Sequence, residues 1–291
     1  MVMLRRMLCA LSLVAILAAG PAEAQQPTLV FTAIPDEDET RLVERFTKFA
    51  KYFEGQLGVT VKYLPVKSYP AAVTAFINNQ VQFAWFGGLT GVQARLAVPG
   101  SEALAQGAED VAFKSYFIAN AATGLKFSKD FPAEIVGKTF TFGARGSTSG
   151  RLFPEYFIRQ ALGGKAPDEI FSRVGYSGDH SRTIQLVQSG AFQVGAVNHL
   201  VWESEVKAGK IDTKAVSVIW ETPTYPDYHW VARGDLDKGF GAGFKEKLKA
   251  AILGVGDPKL LQLFDRSKFI PARNEDYKAI EDVGKLTGLI N

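Results

Sequence analysis

Cysteine is nearly missing from this chain. Cys9 is the only one in 291 residues, which excludes a disulfide framework and a cysteine-ligated metal centre. Histidine is almost as scarce. His180, His199 and His229 are the only three, and no pair stands at metal-ligand spacing, so no metal and no other cofactor is expected. An excess of one charge is also missing. The chain has 33 Lys and Arg against 30 Asp and Glu, a formal net charge of +3. A nucleic-acid partner would need a basic face or stripe, so none is expected. No Gly-x4-Gly-Lys-Ser/Thr loop occurs, which argues against a nucleotide site of that type. Gly239, Gly241 and Gly243 alternate before a helical stretch, but no ribose-binding acid follows at the right distance.

What is present begins with a processing signal. Arg5 and Arg6 are followed by the short apolar run Leu8 to Ala19 and the small-residue site Ala22-Glu23-Ala24. This pattern predicts a signal peptide over 1–24, cleaved near Ala24. The run is short for a bilayer span. Cys9 lies at its start, the wrong end for a lipid anchor, and cleavage would remove it. Export without cysteines points to a bacterial periplasmic protein.

Beyond it the chain alternates strands and helices. Strands are predicted over 29–33, 59–64, 83–86, 116–122, 140–143, 194–198, 216–221 and 228–233, with helical patterns between most of them. In the first helix Leu42, Phe46, Phe49, Phe53 and Leu57 recur at helical spacing. The rhythm predicts an α/β fold with helices on the sheet faces. Two stretches read as crossings, 114–116 and the Pro-bearing Pro223 to Asp227. They predict two lobes joined by a two-crossing hinge. One lobe would be discontinuous, 25–115 plus 228–291, and the other would be 116–227. A ligand cleft would lie between them, at the carboxyl ends of the strands.

One stretch organises this plan: Gly143-Ala144-Arg145-Gly146-Ser147-Thr148-Ser149-Gly150. A strand precedes it and a helix follows. Glycines let the backbone approach a ligand, Ser and Thr add neutral donors, and a helix N-terminus carries free N–H groups. That is a small-oxyanion site, although a plain N-cap uses the same residues and is the commoner use of them. A nucleophile elbow fails, because Thr148 stands where the serine should be. Tyr69 opens a helix and is placed as a ligand donor. Trp85 and Phe86 either line a pocket or fill a core.

Several of these words, taken together, resemble a known family. Phe31 to Pro35, Tyr69 before the helix ending Asn78-Asn79-Gln80, Val81 to Gly88, Gly146 to Gly150 and Ser177-Gly178-Asp179-His180 look like the periplasmic substrate-binding proteins of phosphonate, phosphite and phosphate uptake. The likeness covers nearly the whole mature chain. Longer words, such as Ala84 to Leu89, Gly178 to Thr183 and Tyr225 to Tyr228, are similar to a branch labelled as selenate-transporter binding proteins. The resemblance implies a type II periplasmic binding protein, a monomer and not an enzyme. Its lobes would close on a tetrahedral oxyanion (selenate-, phosphite- or phosphonate-like) for an ABC permease in the inner membrane. The residues so implied are Tyr69, Phe86, Gly87, Gly88, Ser147, Thr148, Ser149, Asp179, His180 and Asn198. Asn198 stands where aminophosphonate binders carry an acid for the ligand's amine, which favours a small anion without one.

Simple chemistry bears on the choice of anion. Neutral donors suit a fully ionised oxyanion, while a carboxylate in the pocket suits an anion that still carries a proton. Asp179 is the acid inside these motifs, and its direction would tip the balance. Two other classes stay open: a sensory protein feeding a membrane histidine kinase, and a periplasmic enzyme on the same fold.

Overall fold

The computed structural model describes residues 27–290, so the expected signal peptide lies outside the described residues. The chain begins with β1 (Leu29–Ala33), α1 (Glu39–Leu57), β2 (Val61–Tyr63), α2 (Tyr69–Ile77), β3 (Phe83–Phe86) and α3 (Gly88–Ala97). Then come β4 (Glu102–Gly107), β5 (Ser115–Asn120), β6 (Thr139–Phe142), α4 (Phe153–Ala161), α5 (Pro167–Ile170) and β7 (Arg173–Tyr176). α6 (His180–Gln188), β8 (Val194–Asn198), α7 (His199–Lys207) and β9 (Val216–Glu221) follow. The last elements are β10 (His229–Ala232), α8 (Leu236–Phe240), α9 (Phe244–Leu253), α10 (Pro258–Leu263), β11 (Phe269–Pro271) and α11 (Lys278–Leu286).

The strands form two sheets. One has the order β11-β4-β10-β3-β1-β2 and the other β7-β6-β8-β5-β9. Each mixes parallel and antiparallel pairs, β1 lying parallel to β2 and β3 while β10 runs antiparallel to β3. Each sheet builds one lobe, so strands from both ends of the chain share the first.

The first lobe is held by an aromatic core. Leu42, Phe46, Phe49, Phe53 and Leu57 of α1 are all buried, and they meet Phe31, Phe83, Trp85 and Trp230 from the sheet. Each such side chain contributes about 1.5–3 kcal/mol by leaving water. Asp38 caps the start of α1 by accepting from the Arg41 N–H. Gly58 ends it at φ 71°, a left-handed turn that glycine adopts without steric cost. The second lobe packs Phe117, Phe140, Phe142 and Phe171 with Ile219 and Trp220.

β1, β3, β8 and β9 run where the pattern predicts. β2 is shorter than expected. β4 and β11 were not expected. Glu102 to Gly107 is almost wholly buried and rich in alanine, so it shows neither alternation nor β-branched residues.

The chain passes from the first sheet to the second between β4 and β5, and returns between β9 and β10. The two crossings are stitched together. Phe113 N–H donates to the Tyr225 carbonyl at 2.8 Å, Tyr225 N–H returns the bond at 2.9 Å, and Asp227 N–H donates to the Asp110 carbonyl at 3.0 Å. Beneath them Arg266 forks onto the buried Asp110 carboxylate, with bonds of 2.8 and 2.6 Å. Among the described residues no helix is long and apolar enough to cross a membrane.

Candidate functional site

The Gly143 to Gly150 loop turns β6 into α4 through one wide π-turn, Thr148–Leu152. Ser147 is its N-cap, the side-chain oxygen accepting from the Gly150 N–H at 2.9 Å. The cap and ligand readings therefore coexist in one loop. Gly143 N–H donates to the Gly150 carbonyl at 2.8 Å and closes the turn. A Cβ on Gly150 would stand 3.0 Å from both the Gly143 Cα and the Ser147 Oγ, so the loop fits only glycine there. Thr148 reaches across the cleft, its Oγ1 accepting from the Leu89 N–H at 3.0 Å. The Ser149 Oγ is buried without a partner.

Other unpartnered groups lie beside it. Tyr69 opens α2 and is 1% exposed. Its hydroxyl has no bonded partner and faces Ser147. His180 is fully buried, and its Nδ1 accepts from the Asn198 N–H at 3.3 Å. Burial holds the imidazole down to about 3, so the ring is neutral near pH 7. With Nδ1 accepting, the ring proton sits on Nε2, which is a buried donor with no partner.

Two carboxyls complete the cluster. Asp227 precedes β10. Its Oδ1 accepts from the Gly88 N–H at 2.8 Å, and its Oδ2 is unpartnered. Burial pushes it up to about 7, against the opposing pull of the Gly88 N–H and Thr148. Asp36 follows β1 with an unpartnered Oδ1, and is raised to about 7 by burial and by neighbouring Glu37. Both act on the Tyr69 phenol, which burial pushes up and which stays protonated. A buried polar group left unpaired costs about 1–3 kcal/mol. These unpartnered buried donors and acceptors, carried by segments that meet at the loop, make a candidate polar ligand site.

Not every expected residue joins it. Phe86 is fully buried in the first lobe, edge-on to Phe76 at 5.7 Å, and belongs to the core. Gly88 does not offer its N–H to a ligand, because Asp227 takes it. Gly87 contributes clearance instead: a Cβ there would stand 3.3 Å from both the Asp227 Oδ1 and the Thr148 Oγ1. Asp179 turns away, capping α6 by accepting from the Arg182 N–H at 2.6 Å. It lines an outer crevice of about 450 Å3 with Lys67 and Arg182. Asn198 stands one layer back. Its Oδ1 caps α7, its N–H orients His180, and its Nδ2 donates to the Tyr228 hydroxyl at 3.0 Å.

Asp227 and Asp36 went unread in the sequence. Asp36 follows a strand's carboxyl end, the place where ligands of such sheets bind, but it reads equally well as part of the acidic start of α1. Asp227 lies in the Pro-bearing crossing, whose proximity to the Ser-Thr-Ser loop is a matter of topology alone.

Comparison with known proteins shows the family. Residues 31–277 match the family model described as ABC transporter, phosphonate, periplasmic substrate-binding protein. The chain belongs to that family. It is 42% identical over 274 residues to the Prochlorococcus marinus (strain MIT 9301) protein named "Probable ABC transporter phosphite binding protein PhnD1", covering 92% of each chain. The solved structure of that PhnD1, in complex with methylphosphonate, superposes with a TM-score of 0.85 over 90% of this chain and 99% of that one. The phosphonates-binding periplasmic protein of Escherichia coli (strain K12) is 27% identical over 229 residues, 78% of this chain and 67% of its own. A binding protein component of an ABC phosphonate transporter from Pseudomonas aeruginosa has a TM-score of 0.78 at 23% identity, covering 90% and 87%, and shares the fold.

This family member is therefore the substrate-binding component of an ABC transporter of the phosphonate type. It is a periplasmic binding protein with the two-lobed type II fold, and it is not an enzyme. The relatives named above are called after phosphite or phosphonates and none after selenate, so the likeness to a selenate branch does not carry over to the ligand.

Proposed function

We propose that this protein captures a small phosphorus oxyanion of the phosphite or methylphosphonate class, shares one proton with it, and presents the closed form to an ABC permease. The single observation that carries this reading is the free Oδ2 of Asp227 among neutral donors. A carboxylate only accepts hydrogen bonds. Facing an anion, it is tolerated when exactly one proton lies between the two. A phosphorus oxyanion with a P–OH group supplies that proton at neutral pH. Selenate and sulfate are fully ionised there and would have to find it on Asp227.

Each other group takes a share of the anion. Ser149, Tyr69 and the Nε2–H of His180 donate to its oxygens, and Ser147 and Thr148 shape the loop around them. None of these donors is charged, so hydrogen bonds do the work of selectivity. The lobes, 25–115 plus 228–291 and 116–227 in this reading, close as ligand contacts on both sides shift the population towards the shut form. The division of the two sheets supports those boundaries. The 42% identity to a chain named for phosphite, solved with methylphosphonate, supports the ligand class.

A calorimetric titration of the anion-stripped protein with phosphite, methylphosphonate, phosphate, sulfate and selenate tests this. At pH 7 the phosphorus oxyanions are expected to bind at least about tenfold more tightly than sulfate or selenate, a difference of about 1.4 kcal/mol or more. Asp227→Asn should cost the phosphorus ligands about 1–3 kcal/mol and narrow that gap. Preferential binding of selenate by the wild type, unaltered by Asp227→Asn, would overturn the reading.

A further inference from the structure

Four buried residues link the two lobes in a ring beside the donors. The His180 N–H donates across the cleft to the Asp36 carbonyl at 2.9 Å. The Asn198 Nδ2 donates across it to the Tyr228 hydroxyl at 3.0 Å. Within the second lobe the Asn198 N–H donates to the His180 Nδ1 at 3.3 Å. Within the first, the Tyr228 hydroxyl faces the Asp36 carboxyl, and the Tyr228 ring stacks on Trp85 at 5.7 Å. All four residues are at most 4% exposed.

Two of the four links span the lobes, so opening must break both. The residues they hold in the second lobe are the ligand donor His180 and the residue that sets its tautomer. His180 is the first residue of α6, and its N–H is one of the four that no intrahelical carbonyl can satisfy. The Asp36 carbonyl caps that helix from the opposite lobe. In the open form water would take over each link, so the ring weights the closed state rather than the fold as a whole.

We infer that Tyr228 and Asp36 are positioning residues for ligand capture, latching the closed lobes onto the His180–Asn198 pair so that the His180 Nε2–H meets the anion only when the cleft is shut. This rests on the reading of His180 as a ligand donor. No contact between Tyr228 or Asp36 and the ligand is required.

Tyr228→Phe keeps the ring on Trp85 and removes only the hydroxyl. Stopped-flow binding of phosphite and methylphosphonate is expected to show dissociation faster by about tenfold while association changes by about twofold or less. The ligand-free unfolding midpoint should hardly move, a split that a merely structural role would not produce. Asn198→Ser is the second variant: its hydroxyl can still cap α7 but is too short to reach the Tyr228 hydroxyl, and the same split is expected.

Spin labels at Leu96→Cys and Val136→Cys, one exposed site on each lobe, with Cys9→Ser, read closure without ligand. Tyr228→Phe should raise the open population by about threefold or more. Wild-type dissociation rates together with unchanged label distances in both variants would overturn the latch. Should the wild type bind none of these anions, the proposed function falls, and the label distances alone decide the latch. Should Tyr228→Phe fail to fold, Asn198→Ser decides it.

Discussion

At the scale of single residues, burial decides which groups can carry charge. His180 is held neutral, so its donor persists across the physiological range and its protonation should not tune affinity above about pH 5. Asp227 behaves in the opposite sense. Its folded form holds a proton up to about pH 7, whereas an unfolded aspartate releases it near 3.8. That proton uptake stabilises the fold fully below the unfolded value, and the contribution fades as pH rises through about 7. The full swing is at most about 4 kcal/mol. Asp227→Asn removes it. The melting temperature of the ligand-free variant, relative to wild type, should therefore climb between pH 5 and pH 8. A flat difference across that range would mean that Asp227 is not buried as described.

Elements determine where those residues point. The Ser-Thr-Ser loop is a site because it starts a helix, and it keeps its shape because Gly143 and Gly150 touch backbone to backbone. Gly150→Ala places a methyl within 3.1 Å of the His180 Cε1 and even closer to Gly143 and Ser147. It should cost about 1–3 kcal/mol of stability, read from a urea midpoint, because this crowding cannot relax into open space. Ligand binding should weaken with it, since the Ser149 donor and His180 move together. Wild-type stability and affinity in this variant would show that the loop yields more easily than its contacts imply. The helix starts were largely legible in the sequence. Asp38, Ser68, Ser147, Asp179 and Asn198 all cap helices or turns through their side chains. Asp179, an acid in a motif, caps α6 with its Oδ1 accepting from the Arg182 N–H.

Across the whole molecule, two sheets joined by two crossings form a clamp. The crossings are bonded to each other, and the Asp110–Arg266 pair anchors them to the first lobe. Phosphite or methylphosphonate should therefore draw the lobes together without changing either one. Small-angle scattering should show a smaller radius of gyration on saturation. The melting temperature should rise in step, since ligand at 100 times its dissociation constant adds about 2.7 kcal/mol. A higher melting temperature without compaction would mean that the lobes are already shut before the anion arrives.

The sequence by itself determined the alternation of strands and helices, because apolar period and turn residues act over a few neighbours. It also marked the Gly-Ser-Thr-Ser-Gly loop, Tyr69 and His180, whose local settings already suit an anion. Only the tertiary structure decided the rest. It sent Phe86 into the core, turned Asp179 towards its own helix and set Asn198 behind His180. It also brought Asp36 and Asp227 to the donors, from segments nearly two hundred residues apart. What a buried carboxyl does depends on which groups desolvate and pair with it, and those come from the far side of a cleft that no local pattern encodes.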